Sequence, residues 1–115
     1  MIEPPRKVPV IFYRTSQGVE VVRDWLRGLN EADQNILAQD LMRVQFRWPV
    51  GMPLCRPLGD GLWEVRSDLS SSRIARLLFC FTEGRLLVLH GFIKKTQKTP
   101  DAELKLARKR KREFV

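Results

Sequence analysis

Arginine recurs in this chain at positions where strands should run. Arg66 stands in GLWEVRSD (residues 61–68), Arg73 and Arg76 stand in SSRIARLLFCF (71–81), and a Lys94-Lys95 pair follows RLLVLHGFI (85–93). A charge inside a strand costs free energy unless it is exposed or paired, so its repetition implies one sheet face that meets a polyanion. Guanidinium forks match phosphate geometry, and ammonium groups add point charge. Such a set can bind phosphates and stabilise charge that builds up on phosphoryl oxygens.

The charge balance agrees. Residues 1–84 carry 11 Lys+Arg against 10 Asp+Glu, whereas residues 85–115 carry 10 against 3, so nearly all of the formal +8 lies in the last 31 residues. An excess concentrated in one segment is the footprint of a nucleic-acid binder. It is also compatible with an acidic protein partner or an anionic membrane surface.

Other chemistry is disfavoured. Cys55 and Cys80 have no second Cys or His at ligand spacing, so both read as reduced structural residues, and no metal or cofactor is expected. No Gly-rich phosphate loop, HExxH or GxSxG occurs. The apolar stretches 77–81 and 86–89 fall far short of the roughly 20 residues of a membrane span. MIEPPRKVPVIFYR at the N-terminus has acid and prolines where a secretion signal needs an apolar core, which implies a cytoplasmic protein.

The elements that must position these residues follow from periodicity. The 115 residues suit one domain, 1–115. Residues 8–14 read as a first strand, with Pro9 favouring an edge or a strand start. Val19, Val22, Trp25, Leu26 and Leu29 recur at helical spacing over 18–29, with Thr15 or Ser16 as a cap. Asn30 caps a second helix whose stripe is Ile36, Leu37, Leu41, Val44 and Trp48, ended by Pro49. The two form an αα-hairpin. Residues 49–61, rich in Pro and Gly, read as a loop. Strands at about 62–67, 73–82 and 85–93 are joined by turns too short for parallel crossovers and predict an antiparallel meander. In the first of these, Glu64 and Arg66 should point outward, opposite Trp63 and Val65. Thr99 as N-cap and Pro100 at N1 start a last helix through Ala102, Leu104, Leu106 and Ala107, which ends in the basic run of residues 108–112. That run reads either as a solvated tail or as a binding element. The expected class is α+β: an antiparallel sheet in the order β-α-α-β-β-β-α, with the αα-hairpin on one face and a C-terminal basic helix.

His90, a lone histidine in an apolar strand, reads first as a hydrogen-bonded core residue and second as an acid/base candidate. Trp25, Trp48 and Trp63 fall on apolar stripes and read as core.

The motifs WEVR (63–66), RLLF (76–79) and LLVLHGFIKKTQKTP (86–100), followed by a basic helix, resemble the HigB-like, phage-derived branch of the RelE/ParE toxin superfamily over most of the chain. The resemblance implies a RelE-like fold and the toxin of a type II toxin–antitoxin system, a ribosome-dependent endoribonuclease that cuts mRNA. Its implied partners are the ribosome, mRNA and a cognate antitoxin of helix-turn-helix type, with operator DNA reached only through that antitoxin. RNA can be cut without metal when its 2′-hydroxyl attacks the adjacent phosphate in line, given groups that position atoms, stabilise charge and move protons. The resemblance implies Arg66 and Arg76 as a phosphate clamp, with Lys94 or Lys95 in proton transfer and His90 as the competing acid/base residue. An ordinary lysine is a poor base at neutral pH, so that role needs neighbouring cations. Arg56, Arg73, Lys98 and Arg108 are implied as RNA-backbone contacts. Phe79 stands where ribonuclease members often carry a strand tyrosine, and Tyr13 is the only tyrosine of this chain. The same fold also serves gyrase inhibitors of the ParE branch and relatives that only bind an antitoxin or nucleic acid, so these remain alternatives. An apolar patch with a basic rim is expected where the antitoxin docks.

Overall fold

The structure is a computed structural model that describes residues 7–95 and 97–114. Among them, β1 (Val10–Phe12) is followed by α1 (Val21–Arg27) and α2 (Glu31–Arg47). Then come β2 (Cys55–Gly59), β3 (Leu62–Asp68), a short 3-10 turn, β4 (Ile74–Thr82), β5 (Arg85–Lys94) and α3 (Asp101–Phe114). The strands form one sheet in the order β1-β5-β4-β3-β2. The α+β class, the αα-hairpin and the antiparallel β3-β4-β5 meander are as expected.

Two features correct the expected sheet. It is mixed, because β1 runs parallel to β5, with Val10 opposite Leu86 and Phe12 opposite Val88. The intervening helices and strands supply the crossover that a parallel pair needs. The second is β2, which lies inside the stretch 49–61 that reads as loop. It pairs antiparallel with β3 at the sheet edge, where Pro57 costs no ladder bond. Asp60-Gly61 makes the connecting turn with φ of 55° and 76°, the positive pair a two-residue type I′ hairpin needs.

Helix boundaries also shift. α1 starts at Val21 without a side-chain cap, and Thr15 Oγ1 instead accepts from Val19 N–H to close the preceding turn. Asn30 caps α2 as expected, accepting from Asp33 N–H at 2.8 Å.

The sheet is covered on both faces. The hairpin face buries Val22, Leu37, Val44, Val65, Leu77, Phe79 and Val88, with Trp25, Trp48 and Trp63 packed against them. Trp48 meets Trp63 and Phe79 edge-on at 5.1 and 5.3 Å between centroids, so the tryptophans serve the core. The other face buries Leu62, Leu78, Leu87, Leu89 and Phe92 beneath Leu104 and Ala107 of α3. Cys55 and Cys80 are free and lie on opposite faces, and burial pushes the Cys55 thiol up to about 12. Among the described residues no helix is long and apolar enough to cross a membrane.

A bulge controls what the α3 face presents. Pairing slips between Leu78 and Phe79, so that Leu78 opposes His90 and Phe79 opposes Val88, leaving Leu89 as the extra residue. The side-chain alternation of β5 inverts there, which turns His90 and Phe92 toward α3 and Gly91 toward the hairpin. A Cβ on Gly91 would sit 2.7 Å from the Trp25 ring and 3.0 Å from Leu77 Cδ2. Gly91→Ala should therefore lower stability by about 1–3 kcal/mol through overpacking, read as a lower urea midpoint at unchanged slope.

Candidate functional site

Pairing brings the sequence-predicted cations together. Arg66 on β3 is directly opposite Arg76 on β4, and Arg76 is opposite Phe92 on β5. One step along the ladder, Arg56 of β2 opposes Glu64 of β3, which opposes Leu78 and then His90. Directly paired residues point to one face, so Arg56, Glu64, Arg66, Arg76 and His90 share the face that α3 covers.

Glu64 is the centre of this row, and here the structure corrects the sequence reading. The alternation places Glu64 opposite Trp63 as expected, but that face is covered rather than open, and both Glu64 and Arg76 are fully buried. Arg76 Nε lies 3.7 Å from Glu64 Oε2, and Arg66 Nε lies 3.8 Å from Oε1. Thr99 donates its hydroxyl hydrogen to Glu64 Oε2. Thr99, expected as a helix cap, thus spends its side chain on fastening the start of α3 to β3. Burial pushes the Arg76 guanidinium below its usual range, Glu64 opposes that shift, and Arg66 and Arg56 add to it. An arginine remains charged throughout.

Both arginines also hold the segment before α3. Arg76 Nη2 donates to the Gln97 carbonyl at 3.0 Å, and Arg66 Nη2 donates to Gln97 Oε1 at 3.0 Å. Arg66 keeps about a quarter of its side chain exposed, and Lys94, Lys95 and Lys98, which bracket Gln97 in the sequence, are exposed too. The Lys94 ammonium stands 5.8 Å from the Phe92 ring centroid and 3.7 Å from Glu103 Oε1. The open part of the site is therefore Arg66, Gln97, Lys94 and Lys95. Arg76, expected to touch phosphate, lies beneath it.

His90 is largely covered by α3. Its Nε2 is hydrogen-bonded to Glu103 Oε2 at 2.5 Å, and Arg110 Nη1 lies 3.4 Å from its Nδ1. Arginine only donates, so this network fits the tautomer with hydrogen on Nε2 and assigns His90 first of all to holding the helix. Arg110 also donates to the Leu89 carbonyl at 2.9 Å and stands over the Tyr13 ring, whose hydroxyl donates to Glu113.

Two expected backbone contacts lie elsewhere. Arg73 is on the hairpin side, where its two Nη atoms reach the two Asp33 oxygens at 2.8 and 3.1 Å. Arg108 turns inward and donates to the Leu58 carbonyl at 3.1 Å, tying α3 to β2. Arg56 remains exposed on β2. The basic run is helix, with Arg108 and Arg110 facing the sheet, and the exposed Lys109 and Arg112 outside.

Glu64, Gln97, Thr99 and Glu103 were missed from sequence. The signal for Glu64 was available, because an arginine confined to a central strand demands a buried carboxylate within reach.

A family model described as phage-derived protein Gp49-like (DUF891) matches residues 24–112, more than three-quarters of the chain. The chain belongs to this family. The matched span runs from α1 through most of α3 and includes Glu64, Arg66, Arg76, Lys94, Lys95 and Glu103 of the Gp49-like chain. No curated protein matches it.

Removing one member of a buried ion pair leaves the other uncompensated, at a cost of roughly 3–5 kcal/mol. Glu64→Gln should show a loss of this size in urea unfolding, while the double variant Glu64→Leu/Arg76→Met should recover most of it. The Asp33–Arg73 pair gives a pH test. The hydrogen bonds from Arg73 hold the Asp33 carboxyl below the usual carboxylate range against the opposing effect of burial. A carboxyl depressed on folding contributes stability that is fully present above its unfolded value of about 3.9 and is lost as pH falls through its folded value. Asp33→Asn should therefore lower the urea midpoint at neutral pH, and the difference from the parent chain should shrink on going below about pH 4.

Proposed function

We propose that the chain is the toxin of a toxin–antitoxin pair, a RelE/HigB-like endoribonuclease that cuts mRNA on the ribosome in the cytoplasm. The observation that carries this reading is the open group Arg66, Gln97, Lys94 and Lys95 at the margin of the α3 face, braced from below by Glu64 and Arg76. Membership in a phage-derived family is consistent with it. Its partners would be mRNA, the ribosome and a cognate antitoxin of helix-turn-helix type, through which alone it would reach operator DNA.

On this reading the 2′-oxygen forms a bond to the adjacent phosphorus as the bond from phosphorus to the 5′-oxygen breaks. The 2′-hydroxyl gives up its proton and the leaving 5′-oxygen takes one. Arg66 neutralises the non-bridging oxygens, where charge accumulates. Lys94 and Lys95 serve the protons, and Glu103, 3.7 Å from Lys94 and hydrogen-bonded to His90, holds Lys94 at this margin. Arg76 acts at one remove, by fixing the Gln97 carbonyl and the carboxylate beside Arg66.

The burial of Arg76 decides which control is informative. Arg76→Ala strips a buried cation from Glu64 and disturbs the fold, whereas Arg66→Ala, Lys94→Ala and Lys95→Ala change exposed or half-exposed side chains. Mapping mRNA 5′ ends after induction without antitoxin should show new cuts in translated frames. Arg66→Ala should lower their yield about 10²–10³-fold, the scale for losing one charge-stabilising donor. Growth arrest without cuts would overturn the nuclease reading and point to DNA gyrase. No arrest would leave a relative that only binds.

A further inference from the structure

β3 runs past its edge partner. β2 begins at Cys55, opposite Val65, whereas β3 continues through Arg66, Ser67 and Asp68. The chain before β2 and the middle of α2 border those last residues and leave a hollow of about 390 Å³, within the roughly 300–1,000 Å³ of small-molecule clefts. Ile36, Pro53 and Leu54 form its apolar part, and Asp40, Arg43, Arg66 and Asp68 its charged part. Arg66 thus belongs both to this hollow and to the open cationic group with Gln97, Lys94 and Lys95.

The charged groups are not equivalent. The Asp40 carboxylate is already engaged: one oxygen accepts from Ser67 Oγ at 2.6 Å and the other from Arg43 at 2.6 Å, which fixes β3 against α2. Among the described residues no donor meets the exposed Asp68, and Arg43 keeps about half of its side chain in water. Two aspartates against two arginines leave the hollow without net formal charge. A second phosphate would meet as much repulsion as attraction there, whereas an uncharged ring with hydrogen-bonding edges suits it.

We infer that this hollow holds the base of a guanosine next to the scissile phosphate. The inference rests on the endoribonuclease reading and adds to it the element that chooses where to cut, since phosphate contacts position a strand and base contacts specify it. A base of single-stranded RNA is open on both its Watson–Crick and its Hoogsteen edges. On the first edge guanine presents two adjacent donors, N1–H and N2–H, which match the two oxygens of the Asp68 carboxylate. On the second it presents two acceptors, O6 and N7, which match a guanidinium such as that of Arg43. Adenine, cytosine and uracil lack that pair of donors. Pro53 and Leu54 supply apolar surface for the face of the ring, and Arg66, lining the same hollow, sets the phosphate contact beside the base contact.

The test joins the map of cut sites to a binding measurement, both on the full chain. Cutting beside guanosine, at one fixed position, should exceed cutting beside the other nucleotides at least tenfold. Asp68→Asn, which exchanges an acceptor oxygen for a donor, and Arg43→Gln, which keeps a donor for Asp40, should each reduce that ratio about tenfold, the scale of one bidentate base contact. In titrations with the four nucleoside monophosphates, guanosine monophosphate should shift the amide resonances of Leu54 and Asp68 saturably and bind at least tenfold tighter than the other three. Cuts without a preference for guanosine, or a preference that survives both substitutions, would overturn the inference and leave the nuclease reading standing. Guanosine-selective binding without any cuts would support the base site and overturn the nuclease reading instead. Equal binding of the four nucleotides without cuts would overturn both.

Discussion

Arg66 and Arg76 stand directly opposite each other on β3 and β4, an arrangement that two like charges oppose. The Glu64 carboxylate makes it tenable, with one oxygen within 4 Å of each guanidinium. Three other features depend on that balance. The segment before α3 is fixed through Gln97, the helix start is fixed through Thr99, and α3 thereby closes over a face that would otherwise expose Leu78, Leu87 and Leu89. A buried pair of this kind gains little net stability over an apolar pair of the same volume, but it defines where one loop must go.

The division of labour between the two arginines follows from their depth. Arg76, in the central strand, is enclosed by sheet and helix and serves as scaffold. Arg66, one strand nearer the edge, keeps part of its surface in water. Lys94, the last residue of β5, completes an open cationic margin with the Lys95 that follows because the bulge at Leu89 turns the end of that strand toward α3.

Much of this was legible in the sequence, and the parts that were not share a physical reason. Sequence pattern located both helices of the hairpin and four of the five described strands, and alternation put Glu64 and Arg66 on one face. β2 was hidden because Pro57 and three glycines look like loop, although an edge strand tolerates both; only Asp60-Gly61 signalled a hairpin. The parallel partner of β1 and the covering of the Glu64 face are long-range facts that no local pattern encodes. The same holds for Arg73, whose partner Asp33 is 40 positions away, and for Arg108, whose acceptor Leu58 is 50 away. The cations that proved easiest to misplace are those whose partners are most distant in sequence.

The parallel pairing of β1 also bears on how the chain is made. Val10 has its place beside Leu86, so β1 is made well before the strand it pairs with and waits for β5. During that interval the hairpin helices and the β3-β4 ladder can form, but the sheet stays open along the edge that β5 must fill. Synthesis thus carries a built-in delay: the margin with Lys94 and Lys95 comes into being only after β1, the hairpin and β2 to β4 have been made, and a product truncated before the end of β5 lacks it.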